Sequence, residues 1–370
     1  MRKRFVGVLA LGAASTLALA GCGGSDSSTT TTTSSAGAGA SSAAATGKVG
    51  VILPDTQSSA RWESFDKPYL TEAFKAAGVE ADIQNALGDK GKMATIADSM
   101  IQEGVKVLII TNLDSPSGAQ IQQKAKDAGI KTIDYDRLTL GGSADYYESF
   151  DNVKVGELQG STLIKCVGDK ADARIIEING SPTDNNATLF KQGYDSQLDP
   201  KYAAGWKKVG DKSIPDWKND VAGTTFEQLL TAAGNKVDGV LVANDGMANA
   251  VVTVLKKVGL KVPVTGQDAT VQGLQNVLTG DQCMTVYKAV KAEAKAAADL
   301  AVALIKGQQP TQATGVTKDA TGKRDVPSVL LTPVAITADN VKTVVDDGFV
   351  KASEICTGAA AAACTKAGIQ

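Results

Sequence analysis

No histidine occurs anywhere in the 370 residues. That absence removes Ser-His-Asp and Cys-His catalysis in one step, together with the commonest metal ligand. There is no Cys-x-x-Cys pair, so a metal centre is not expected. No P-loop and no strand-borne Gly-x-Gly-x-x-Gly is present, and no cofactor is expected. Tryptophan is scarce, with three residues, and the net charge is only -2. A chain this evenly charged carries no basic footprint for nucleic acid. Beyond the first twenty residues no apolar run approaches the length of a membrane-spanning helix.

The amino terminus has its own pattern. Arg2-Lys3-Arg4 precedes an uncharged stretch from Phe5 to Ala20, then Leu19-Ala20-Gly21-Cys22. Basic, apolar and small-residue regions in that order read as a secretory signal over residues 1–21. Leu-Ala-Gly-Cys is also the lipobox pattern, which makes Cys22 the expected lipidation site and new amino terminus. Residues 22–47 are almost entirely Gly, Ser, Thr and Ala, a composition expected to act as a tether. An extracytoplasmic protein anchored to the membrane by lipid follows from these two segments.

Four further cysteines remain in an exported context that permits disulfides. Cys356 and Cys364 bracket a short Thr-Gly-Ala-rich loop and form one expected pair. Cys166 with Cys283 is the other combination, which sequence neither requires nor excludes.

Strand-like runs begin near residues 49, 79, 106 and 131, and again near 174, 206, 238 and 262. Spacings of about 25–30 residues match strand–helix–return units. Gly78, Gly104, Gly129 and Gly259 each stand between a helical pattern and the next strand, the position where left-handed backbone ends a helix. The expected fold is α/β: two similar doubly wound parallel-sheet domains with a cleft between them. Pro68 falls inside the first helical pattern, which should therefore kink or start late.

Six of the apolar runs hand over abruptly to compact polar residues. These are Pro54-Asp55, Thr111-Asn112, Asp136-Arg137, Asn179-Gly180-Ser181, Asn244-Asp245 and Gly266-Gln267-Asp268. In open parallel sheets, ligands bind beyond the carboxyl ends of the strands. Asp136, Asp245 and Asp268 include a carboxylate pair of the kind used in glycoside hydrolysis. Neighbouring Arg137, Asn244 and Lys288 are expected to keep them ionised and hydrogen-bonded, which favours binding over catalysis. Carboxylates and amides suit sugar hydroxyls, and tryptophan suits the apolar face of a sugar ring. Trp62 and Trp217 lie in apparent loops and are candidate platforms, whereas Trp206 reads as core. Each of these groups also has a plain structural reading as a turn residue, a helix cap or a surface pair.

Taken in order, the following segments are more specific. They are Arg61-Trp62, Tyr135-Asp136-Arg137, Ser149-Phe150-Asp151-Asn152, Gly180 to Ala187, Asn244-Asp245, Gly266 to Ala269, Met284 to Lys288 and Asp325 to Ser328. Over residues 48–352 this series resembles the D-xylose-binding members of the type I periplasmic binding proteins. The resemblance implies that Arg61, Asp136, Arg137, Asp184, Asn186, Asn244, Asp268 and Lys288 hydrogen-bond a monosaccharide. It implies that Trp62 and Trp217 sandwich its ring, Trp217 being the least similar in its surroundings. It implies three chain crossings, near Asp151, Lys288 and Val326. The domains are then 48–151 plus 289–326 and 152–288 plus 327–354, with a Cys-bracketed tail over 355–370. The implied protein is not an enzyme. It is a monomeric solute-binding component that delivers xylose or a related monosaccharide to an ABC permease with its ATPase. A sensory receptor serving a membrane kinase or chemoreceptor uses the same residues.

Overall fold

The computed structural model describes residues 47–370; the expected signal segment, Cys22 and nearly all of the tether lie outside the described residues. Val49, Val51, Ile52 and Leu53 are fully buried in the first strand, and Val107 to Ile110 of a strand paired with it are equally buried. Both faces of such a sheet are covered, so its strands read as continuous apolar runs.

The first lobe runs through β1 (Lys48–Leu53), α1 (Lys67–Ala76), β2 (Glu80–Asn85), α2 (Lys90–Gln102), β3 (Val107–Ile110), α3 (Ser115–Asp127), β4 (Lys131–Tyr135) and β5 (Tyr146–Phe150). The second holds α4 (Asn152–Val167), β6 (Arg174–Asn179), α5 (Asn185–Ala203), β7 (Lys207–Ser213), α6 (Asn219–Ala232), β8 (Gly239–Val242), α7 (Asp245–Lys257), α8 (Val271–Thr279) and β9 (Thr285–Tyr287). The chain then returns to the first lobe as α9 (Val290–Ile305), β10 (Gly315–Asp319) and β11 (Arg324–Leu331). It ends on the second with β12 (Val334–Ile336) and the short helices α10 (Lys342–Asp346), α11 (Ala352–Ile355) and α12 (Ala361–Lys366).

The first sheet has the order β10-β11-β5-β4-β3-β1-β2, with every pair parallel except β10 with β11. The second is the parallel trio β7-β6-β8, extended by a bridge from Val240 to Val264. The strand expected near residue 262 is thus reduced to that bridge. β5, which is bounded by no long helix on its amino side, had no counterpart among the expected strands.

The third passage between lobes differs from expectation. β11 pairs with β5 through Leu331, so the chain leaves the first lobe at Thr332-Pro333 and not near Val326. The strand cannot leave the sheet at Val326 because Ser328 to Leu331 are still hydrogen-bonded to Tyr147 to Phe150. Pro68 acts as anticipated. Trp62–Asp66 forms a single π-helical turn, and α1 begins at Lys67 with proline in its first turn. The residues before it are helical as well, so the widened turn accommodates a residue that has no N–H to bond backwards. Gly78, Gly104, Gly129 and Gly259 all have positive φ.

The carboxyl-terminal segment is folded onto the second lobe. Ile355, Ala360, Cys364 and Ile369 join a core cluster with Leu274 and Val277 of α8, and Cys356 is bonded to Cys364. The bracketed stretch is helical and not a loop.

Candidate functional site

All ten residues named from sequence line one cavity between the lobes. Ser58, Ser59, Phe190 and Gln267 also line it. From the first lobe come Ser58, Ser59, Arg61, Trp62, Asp136 and Arg137; Lys288 enters from the second crossing. From the second come Asp184 and Asn186 at the start of α5, Asn244 at the N-cap of α7, and Trp217 and Asp268 from loops.

Local rules place these groups. Asp184 and Asn244 stand at helix N-caps, where each side chain accepts from a backbone N–H two or three residues on. Asp136, Trp217 and Asp268 adopt positive φ (61°, 57° and 100°), uncommon for residues with a side chain. Such strain persists only where surrounding structure holds it, and it gathers at binding sites. Gly156 and Gly193 let α4 and α5 touch: a Cβ on either would meet backbone oxygen at about 2 Å, from Phe190 and Val153 respectively. That contact brings the amino end of α5 to the cleft.

Asp136 is the centre of the charge arrangement. Its carboxylate accepts from Arg61 Nη1 at 2.9 Å, Lys288 Nζ at 3.2 Å and Asn186 Nδ2 at 2.9 Å. Burial alone would raise its pKa, but Lys288, Arg61 and Arg137 outweigh burial and hold it well below the ordinary carboxylate range. Arg61 is itself shared among three carboxylates: Asp66, which it grips through Nε and Nη2, Glu293 and Asp136. Burial would lower its pKa; those three anions raise it instead.

Asp184 accepts from Trp217 Nε1 at 3.1 Å and from the Asn186 N–H at 2.9 Å, and its Oδ2 lies 2.9 Å from Arg137 Nε as an ion pair. Burial nevertheless pushes its pKa up, as it does for Asp268. Asp268 accepts from Ser59 Oγ across the cleft at 2.9 Å and from Gln267 Nε2. The expectation that Asp268 sits in an environment favouring ionisation is thus not met, because Lys288 lies 3.9 Å away and desolvation prevails.

Asp245 is a further correction. It faces away from the cavity, hydrogen-bonded to Thr270 and Gln282, and burial pushes its pKa up to about 7. As the first residue of α7 it supports the loop that carries Asp268. Asp55 and Asn112 are also supports. Asp55 caps the N–H groups of Gln57 and Ser58, and Asn112 holds the Arg137 carbonyl at 3.1 Å.

The two tryptophans are each fixed by one hydrogen bond, Trp62 Nε1 to Ser58 Oγ and Trp217 Nε1 to Asp184. Both guanidiniums lie over the Trp62 ring, at 4.5 Å for Arg61 and 5.3 Å for Arg137. Trp217 packs edge-on against Phe190 and directly over Gly180. Phe190 carried no sequence signal because it reads as an ordinary apolar position of α5. Ser58 and Ser59 were equally silent, being two serines in a polar loop. Trp206 lies in the core, as read from sequence, with its N–H on the Lys170 carbonyl.

A cavity walled by paired acids, amides and aromatic faces, with a chain that crosses three times beside it, is the arrangement of a clamp. The periplasmic binding protein domain family matches residues 49–309. The chain belongs to that family. This periplasmic binding protein is 37% identical over 312 residues to the D-xylose-binding periplasmic protein of Escherichia coli K12, covering 83% of this chain and 92% of that one. It is 36% identical to the multiple sugar-binding periplasmic receptor ChvE of Rhizobium radiobacter, over 84% of this chain and 93% of that one. Among solved structures, a carbohydrate transporter solute-binding protein from Chloroflexus aurantiacus in complex with D-glucose superposes with a TM-score of 0.76. There the identity is 31%, over 84% of this chain and 98% of that one. Membership makes the protein an extracytoplasmic solute-binding protein of type I fold, and not an enzyme.

Proposed function

We propose that this periplasmic binding protein takes D-xylose or a closely related monosaccharide into the interlobe cavity and delivers it to an ABC permease. One observation carries the reading: ten residues scattered from Arg61 to Lys288 converge on one cavity, with Asp136 joined to both lobes and to a crossing segment. Asp136, Asp184, Asp268, Asn186 and Asn244 offer acceptors and amides to ring hydroxyls. Trp62 and Trp217 offer apolar faces to the ring. A ligand touching both walls favours the closed form by its differential affinity for it. The relatives' names, which range over xylose, multiple sugars and glucose, support a monosaccharide ligand.

The same reading includes a monomer, anchored through lipid on Cys22. Incorporation of labelled palmitate that disappears in Cys22→Ser is the expected sign of that anchor.

Calorimetric titration of residues 48–370 with xylose, glucose, ribose and arabinose tests the ligand class. Tight binding of at least one sugar is expected. Absence of heat with all four, in folded and ligand-free protein, would sink the reading.

A further inference from the structure

Cys166 lies in the last turn of α4, and Cys283 lies two residues before β9. Both are half-buried and neither is in a disulfide, and each thiol is the neighbour that most perturbs the other's ionisation. The contact follows from the packing of the second lobe. α4 lies across β8, where a Cβ on Gly239 would meet Val167 at 2.9 Å and Leu163 at 3.2 Å. Cys283 is laid beside the same strand layer by its N–H, which donates to the Val264 carbonyl at 2.9 Å. Cys283 and Val167 pack on the same core cluster. The chain already carries one disulfide, Cys356–Cys364, so sulfur pairing is compatible with its folded state.

We propose that Cys166 and Cys283 are a redox-active pair that closes into a second disulfide, tying the end of α4 to the segment that supports the binding wall. The chemistry balances against an oxidant with its own disulfide, such as an oxidised dithiol oxidoreductase or glutathione disulfide. The Cys166 thiolate attacks that disulfide, and one oxidant sulfur leaves as thiolate. Cys283 then loses its proton and displaces the second sulfur. The two cysteines give up two electrons and two protons, and the oxidant becomes a dithiol. Cys166 is the attacking partner, because the neighbouring Cys283 thiol favours its thiolate form and lowers its pKa. The Cys166 thiol, with burial, raises that of Cys283.

The position of the crosslink gives it a consequence. The segment after Cys283 is laced to residues 264–268: Val286 N–H donates to Gly266, and Asp268 N–H to Val286. It then runs into Lys288, so the bond anchors the strip carrying Gln267, Asp268 and Lys288 to α4. It also closes a loop on the order of 100 residues, long enough for a large entropic effect on the unfolded chain.

The test uses the full exported chain, as isolated and after incubation with glutathione disulfide. Free thiols are blocked with N-ethylmaleimide under denaturing conditions, and unreduced proteolytic fragments are weighed by mass spectrometry. The fragments holding Cys166 and Cys283 are expected to be joined after glutathione disulfide treatment and separate after reduction. Maleimide on both cysteines in the treated protein would overturn the proposal. Oxidised wild type should also melt roughly 5 °C above oxidised Cys166→Ser. That gap should close in reductant, which opens Cys356–Cys364 equally in both proteins. Equal melting temperatures, or a gap that survives reduction, would count against the crosslink.

Discussion

Arg137 of the first lobe and Asp184 of the second meet across the cleft, Nε to Oδ2, at 2.9 Å. Both are more than nine-tenths buried, so each is the other's charge partner in a setting that water does not screen. Asn186 with Asp136, Ser59 with Asp268 and Asn244 with the Ser58 carbonyl span the same gap.

Removing one partner of that ion pair should open the molecule. Asp184→Ala strands the Arg137 guanidinium, a change that costs about 3–5 kcal/mol when the charge stays buried. Separating the lobes lets water reach it. Small-angle scattering of the sugar-free variant should give a larger radius of gyration than wild type. An unchanged radius would show that this pair does not hold the lobes together.

Asp268→Ala should weaken sugar binding by more than about tenfold, because it leaves ligand hydroxyls buried without an acceptor. Calorimetry with whichever sugar binds wild type reads the effect directly. Retained affinity would remove Asp268 from the binding set.

Gly180 tests the placement of Trp217. A Cβ there would lie 2.1 Å from the Trp217 ring, closer than any carbon contact allows. Gly180→Ala should displace the indole, shift its fluorescence and reduce sugar affinity at least tenfold, with little change in melting temperature. Wild-type affinity in this variant would mean that the ring is not a platform.

The buried acid Glu148 sets a pH dependence. Neither of its oxygens has a hydrogen-bond partner, and burial, followed by the nearby Glu293 and Asp136 charges, raises its pKa well above 4.5. A raised pKa in the folded state means stability that is complete below the unfolded value and lost as pH rises towards the folded one. Each pH unit in that window costs the wild type about 1.4 kcal/mol. Glu148→Gln keeps the shape without the proton, so its stability relative to wild type should increase from pH 5 to pH 8. Urea midpoints at the two pH values measure this; a constant difference would mean that Glu148 is not held neutral.

Much of the site was legible because strand ends and helix caps are local features. Asp136-Arg137 follows β4, Asn244 caps α7, and Asp184 caps α5 wherever those elements fold. Residue type alone misjudged Asp245. A cap residue next to Asn244 has the same chemistry in sequence, but the helix turns its carboxylate towards Thr270 and Gln282. Phe190, Ser58 and Ser59 were illegible because their role depends on what lies opposite, and sequence carries no record of that. The third crossing was expected near Val326 for the same reason, since the length of β11 is decided by pairing with β5.

The sequence by itself determined the α/β alternation, the glycine-closed helices and the polar strand ends, because each rests on backbone and side-chain preferences within a few residues. The tertiary structure alone decided which polar groups face each other. It set Asp136 against Arg61, Lys288 and Asn186, turned Asp245 inward and brought Cys166 to Cys283. Those pairings join residues separated in the chain, and only the packing within and between the two lobes fixes their distances and their protonation.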